Sequence, residues 1–226
     1  TGNKHDPYSD IGLVSAEGGK DIINLTNSGY MSGYPHFALD GNAILFTTER
    51  YGMRAHASWG SLNDAMLVFL NQDAYDKYCL SKEDYELRKE LEKEQKKSAG
   101  KDTPQGKNKD KKKKYDKKDS NADEKDDQPK DIVVELKGIE DRVVRLTPNS
   151  SDMGSTIISK DGETLYYLAA FEGGYDLWKM NLRKKETKLL HKMDAGWADM
   201  QLDKDGKNLF LLGSRKMQKM DTSSDA

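Results

Sequence analysis

Three Asp-Gly pairs stand in a common register, and that register restricts what the chain can fold into. Asp40-Gly41, Asp161-Gly162 and Asp205-Gly206 each begin 14 residues after the residue that closes an apolar run, namely Thr26, Thr147 and His191. Each pair is followed by a second apolar run, at 43–46, 165–168 and 209–212. A third marker, Asp before an aliphatic residue, occurs at Asp10-Ile11, Asp131-Ile132 and Asp176-Leu177, shortly upstream of Leu25, Leu146 and Leu190. Asp131 and Asp176 are 45 residues apart, and Asp161 and Asp205 are 44 apart. Asp-Gly between runs rich in β-branched and aromatic residues signals a hairpin, because both residues tolerate the positive φ of a twist-matched turn. Three such pairs in register with two other markers signal a repeat.

The best-defined unit, 147–191, packs four short strands into ~45 residues, the size of one propeller blade. The chain therefore reads as all-β, a partial β-propeller of about three four-stranded blades. Residues 1–55 give the end of one blade, with strands at 9–14 and 21–25, and the start of the next, at 35–39 and 43–48. The next Asp-aliphatic marker is due near position 55 and stands at Asp131, which implies roughly 76 inserted residues. Residues 131–226 then resume the blades, the last one starting at 197–202 and 208–212. Propellers close with at least four blades, so this length is expected to be a fragment.

The insertion, 56–130, has three parts. A strand-like run at 65–70 is either the true third strand of its blade or an added one. Ser81 opens a helix expected over 81–97, with Asp84 placed as a capping-box partner. Residues 98–130 are mostly Lys, Asp, Gly, Asn, Gln and Ser, and are expected to be disordered because they bury too little apolar surface to offset ordering entropy. With 34% charged residues against 35% hydrophobic, the composition agrees with such a segment. Its Lys run at 111–114 is balanced by acids nearby, 17 basic against 14 acidic side chains over 81–130. It reads as a solvated linker, and with the net charge of −2 it argues against a nucleic-acid partner. No apolar run is long enough to span a membrane as a helix.

No catalytic, cofactor or metal site emerges. The four His residues, His5, His36, His56 and His191, do not pair with one another or with Cys79 at a metal-ligand spacing. Gly19-Lys20 lacks the rest of a phosphate loop, since Val14 and Asp21 stand where Gly and Ser or Thr are needed. Ser58, in His-Ala-Ser-Trp-Gly, lacks the first Gly and the strand-turn-helix setting of a nucleophile elbow. Trp178 and Trp197 are expected to pack between blades. Asp161 and Asp205 are expected to form turns rather than to act as acids.

The repeat, Leu-Thr, strand, Asp-Gly, Leu-Tyr-Tyr or Ile-Leu-Phe, then Asp-Leu-Trp, resembles the propeller repeats of TolB and the tricorn peptidases. Residues 138–147, Gly-Ile-Glu-Asp-Arg-Val-Val-Arg-Leu-Thr, resemble the Gly-x-x-Asp-Arg stretch of tricorn-type serine peptidases. Arg50-Tyr-Gly-Met-Arg, the 56–60 stretch, Ala74-Tyr-Asp-Lys-Tyr and Ser81-Lys-Glu-Asp resemble secreted, tail-specific-protease-related enzymes of Bacteroidetes-type bacteria. The resemblance implies an extracytoplasmic multidomain serine peptidase, in which the propeller admits or guides peptide substrates. The remaining blades, a PDZ domain and the catalytic serine domain would be its partners within the same protein. No catalytic residue of that kind maps onto this sequence. Two alternatives are a propeller used only for protein binding, as in TolB, and a prolyl-oligopeptidase-type hydrolase domain farther along.

Overall fold

The computed structural model describes residues 8–19, 21–53, 60–99 and 131–223. Among these, thirteen strands form four separate antiparallel sheets. The first pairs β1 (Gly12–Leu13) with β2 (Ile23–Asn24). The second has the order β3 (Ser32–Ala38), β4 (Ala43–Thr48), β5 (Asp64–Phe69), β6 (Val143–Arg145). The third runs β7 (Asp152–Ile158), β8 (Thr164–Ala170), β9 (Tyr175–Asn181), β10 (Glu186–Ala195). The fourth holds β11 (Ala198–Leu202), β12 (Asn208–Gly213) and β13 (Lys216–Asp221). Each sheet is a meander, so each is one blade, and the chain is a partial propeller.

The middle strands explain why the apolar runs are continuous. Along β4 and β5, Ala43, Leu45, Ala65, Leu67 and Phe69 join a core shared with Leu165, Tyr167, Ala169 and Met180 of the third blade. Their neighbours Ile44, Phe46, Met66 and Val68 join a different core, with Ile11 and Leu25 of the first blade. On β8 and β9 the residues facing the other way, Tyr166, Leu168 and Leu177, pack with Met200, Leu209 and Leu211 of the fourth. Successive side chains leave opposite faces of a strand, so a strand sandwiched between two blades is apolar at every position. Fully burying one Leu-sized side chain contributes about 1.5–3 kcal/mol, and each inner face stacks several.

The Asp-Gly turns are tight but differ from the expected form. At 159–164 the Gly162 N–H donates to the Ser159 carbonyl at 2.9 Å, and only Gly162 takes a positive φ, 74°. The Asp161 carboxylate accepts from Ser159 Oγ and from the Glu163 N–H. Positive φ at both residues, expected from the hairpin signal, holds at Asp40 (54°) and Gly41 (82°) but not at the other two turns. Those have longer loops, which are built around an ordinary turn closed by a left-handed glycine. At the Asp205-Gly206 turn, Asp203 accepts from Lys207 N–H, Asn208 N–H and Asn208 Nδ2. These bonds hold its carboxyl below the usual range. Gly18 and Gly19 likewise turn β1 into β2 with positive φ, and no helix follows them.

The Asp-aliphatic and Leu-Thr markers turn out to be partners in one clasp. In the first blade Thr26 Oγ1 donates to Asp10 Oδ1 at 2.8 Å and accepts from the Ile11 N–H at 3.0 Å. In the second, Thr147 Oγ1 donates to Asp64 Oδ1 at 2.8 Å and accepts from the Ala65 N–H at 3.2 Å. In the third blade, where His191 replaces the Thr, Asp176 instead accepts from the N–H groups of Met193 and Asp194. The marker of the second blade is therefore Asp64, and Asp131 matches it only in spacing. Most of the extra chain, 70–142, enters after β5, while the β4–β5 connection, 49–63, is also longer than its counterpart at 171–174 in the third blade. The two clasps close loops of 15 and 82 residues with the same geometry. Loop length adds only slowly to closure entropy, so the blade accommodates the difference. The run at 65–70, left open by the sequence, is the blade's third strand.

The chain divides into two compact units, the sheets with their connections and, separately, Leu80–Ile132. After β5, helix α1 (Gln72–Cys79) belongs to the first unit. Asn71 Oδ1 caps it by accepting from the Ala74 N–H, and Glu135 accepts from the Gln72 N–H. Its Tyr78 packs on Phe69 and is gripped by the β9–β10 turn, with the Lys185 ammonium 4.9 Å from its ring centre and the Arg183 guanidinium 5.5 Å away. Arg142, buried, donates to the carbonyls of Phe69, Lys137 and Glu135 and so fastens the returning chain beside β5. In the second unit, α2 (Lys82–Ala99) starts as expected: Ser81 Oγ accepts from the Asp84 N–H at 3.1 Å and donates to the Asp84 carboxylate at 2.8 Å. Most of the segment expected to be disordered, 100–130 with its Lys run, lies outside the described residues.

Candidate functional site

The first strands of three consecutive blades, β3, β7 and β11, converge on one groove of about 790 Å³. Tyr34 and His36 enter it from β3, the 153–157 segment from β7, and Trp197 with 198–201 from β11, while Tyr175 reaches it from β9. In a propeller this is the wall of the central channel, where inner strands meet.

Local irregularities aim these side chains. β3 is bulged between Gly33 and His36 in its pairing with β4, and β7 between Met153 and Thr156 in its pairing with β8. A bulge bends a strand and redirects its side chains. At the β3 bulge Tyr34 adopts φ 53°, a left-handed conformation costly for a bulky residue, with 83% of its surface exposed. Gly154 makes the close approach at the second bulge possible, since a Cβ there would lie 3.3 Å from the Leu168 Cβ.

Hydrogen bonds tie the wall together. Ser155 Oγ on β7 donates to Asp199 Oδ1 on β11 and so links adjacent blades. The Tyr175 hydroxyl donates to Asp152 Oδ1 at 2.8 Å. Burial, that hydrogen bond, the Asp152 charge and nearby Tyr34 push the Tyr175 phenol up to about 12. His36 is open to solvent on one side and enclosed by neighbouring strands on the other. That enclosure pulls its imidazole below its ordinary value, against the hydrogen bonds it makes to the backbone of Tyr34 and Thr156. The enclosure thus disfavours a charge on the ring.

The residues singled out from the sequence scatter. Trp178 does pack between blades, half-buried against the core shared by the second and third and edge-on to Phe171 at 5.0 Å. Trp197 does not: it is 59% exposed and lines the groove, because it precedes β11 instead of lying within a sandwiched strand. His191 sits on β10 opposite Leu177, far along the sheet order from the inner strand. His5, His56 and Ser58 lie outside the described residues. Among the described residues no group of three His, Cys, Asp or Glu is arranged to hold a metal, and no helix is long and apolar enough to cross a membrane.

Tyr34, His36, Ser155, Tyr175 and Asp199 were not singled out from the sequence. One signal was available: the three inner strands contain no Lys or Arg, although the chain carries 37. Chemically the groove offers aromatic faces, hydroxyls and the Asp199 carboxylate, with Asp152 held against the lining by Tyr175, a set able to hold a ligand.

No protein-family model matches the chain, and no curated protein matches it. Among solved structures, the crystal structure of the tricorn protease superposes with a TM-score of 0.57 at 10% identity, covering 100% of this chain and 19% of that one. TolB from Acinetobacter baumannii gives a TM-score of 0.49 at 12% identity, over 92% of this chain and 34% of that one. The chain thus spans about a third or less of the length of either. At such identity the likeness to the tricorn protease is one of fold, and it agrees with the stacked blades.

Proposed function

We propose that this chain is a non-catalytic propeller section that admits or guides extended peptides along its inner-strand groove, in the service of a serine peptidase whose chemistry resides in other domains. The observation that carries the reading is the groove itself: a channel wall lined by exposed aromatic and hydrogen-bonding side chains from three blades, one of them held in a strained conformation. Backbone strain kept at an exposed aromatic is a mark of function, not of packing. The propeller fold and the sequence resemblance to tricorn-type, tail-specific-protease-related enzymes support the peptidase context, and with it an extracytoplasmic setting. Peptide or protein substrates would be its ligands, with further blades, a PDZ domain and the catalytic domain as partners in the same protein.

The test is binding of unstructured peptides of mixed composition to the 226-residue chain, read by calorimetry. Binding that weakens at least about tenfold in Tyr34→Ala and Trp197→Ala, with the β-sheet spectrum unchanged, supports the reading. Failure of any peptide to bind, or binding indifferent to both substitutions, overturns it.

A further inference from the structure

The groove is selective in its charge. Its lining includes Asp199, Tyr175 bonded to Asp152, and the aromatic faces of Tyr34 and Trp197, and among the described residues it contains neither Lys nor Arg. In a chain with 37 basic side chains, their absence from all three inner strands leaves a one-signed surface. Burial disfavours a compensating charge on His36. Among the described residues, both hydrogen bonds to the Asp199 carboxylate end on Oδ1, one from Ser155 and one from the Met200 N–H. These two bonds fix the carboxylate plane and leave the second oxygen as an acceptor.

We infer that the groove recognises an extended peptide through a basic side chain, seating a Lys ammonium or Arg guanidinium against the aromatic faces of Tyr34, Tyr175 and Trp197 with Asp199 and Asp152 as counter-charges. The inference rests on the peptide-binding reading and narrows it to one substrate class. An aromatic face attracts a cation through its quadrupole, and more so where neighbouring walls exclude water. A carboxylate already oriented by protein donors makes a charge-assisted hydrogen bond without the entropic cost of ordering itself. The same lining repels acidic peptides, since among the described residues no Lys or Arg lines it to receive a carboxylate or phosphate. An uncharged aliphatic side chain would satisfy the rings but leave Asp199 in the lining, and Asp152 beside Tyr175, without a counter-charge.

Three blocked pentapeptides, Ac-Gly-Ser-Xaa-Ser-Gly-amide with Xaa as Lys, norleucine or Glu, serve as probes for the full 226-residue chain. Trp fluorescence reports binding, with Trp197→Phe identifying the groove's contribution. The Lys peptide is expected to bind about tenfold more tightly than the norleucine peptide, and more weakly as salt is added. Asp199→Asn, which keeps an Oδ1 acceptor for Ser155 and so preserves the link between blades, should abolish that preference, so that the Lys peptide binds no more tightly than the norleucine peptide. Equal binding of Lys and norleucine, tighter binding of Glu, or a Lys preference that survives Asp199→Asn overturns the inference while peptide binding itself stands. Absence of binding by all three, together with failure of the mixed peptides, overturns both.

Discussion

Asp64 shows how much one side chain can organise. It is fully buried, yet it accepts from Thr147, from Ser150 Oγ at 2.7 Å and from Arg145 at 2.9 Å, three residues on the far side of the 82-residue loop. Replacing it with Ala leaves those donors without their acceptor. Arg145 is one-third exposed and stacks on Tyr51 at 5.0 Å, so water can recover part of the loss. Asp64→Ala is therefore expected to cost about 3 kcal/mol, the low end for breaking a buried pair, as measured by urea unfolding. A change below about 1 kcal/mol would mean that the clasp is incidental. The phenols give a second prediction at this scale. Tyr167 and Tyr175 are each held neutral up to about 12, Tyr167 by burial above all, against an ordinary value of 10.0. Between those values the unfolded chain sheds protons that the folded chain retains, so stability is intact below about pH 10 and falls as pH rises towards 12. Unfolding midpoints measured across that range should decline, and less steeply in Tyr167→Phe.

The elements were legible in the sequence to different depths, for identifiable reasons. The paired strands 43–48 and 164–170 were legible because burial on both faces makes the run apolar, 208–213 because its Leu-Phe-Leu-Leu run stays apolar although Leu212 is exposed, and α2 because Ser81 and Asp84 form a local cap. The third strand of the second blade was left open because its partner β6 is supplied from far along the chain. Counting residues favoured Asp131, whereas hydrogen bonding selects Asp64; spacing records distance along the chain and not contact. Helix α1 went unread because its seat depends on Arg183 and Lys185, more than 100 residues away. The Gly-x-x-Asp-Arg stretch at 138–142 was noticed for its resemblance, and the structure gives it a job: Gly138 takes φ 68° and Arg142 then collects three backbone carbonyls. Arg142→Met should leave those carbonyls without partners and loosen the chain's re-entry into the blade. The expected readout is faster amide hydrogen exchange at Leu146 and Glu135, which bond to Ala65 and Leu70, with exchange in the third blade unchanged. Uniform acceleration across both blades would show instead that Arg142 stabilises the whole unit.

Over the whole molecule, the fold was legible and the groove was not. A repeat announces itself through local markers, but the groove is assembled from Tyr34, Ser155 and Trp197, which no short window contains together. Its chemistry points to holding a ligand, so the 226-residue chain is expected to show no hydrolysis of a denatured protein substrate; turnover abolished by Ser58→Ala would contradict this. The central claim, however, is architectural: sheets stacked face to face, with alternate residues of one strand serving different neighbours. Methyl-selective nuclear Overhauser spectroscopy tests it most directly on the second blade. The account predicts that Leu45 and Leu67 connect to methyl groups of the third blade such as Leu165 and Met180, and that Ile44 and Val68 connect to Ile11 and Leu25 of the first. Leu45 and Ile44 both connecting to the same neighbouring sheet would contradict it.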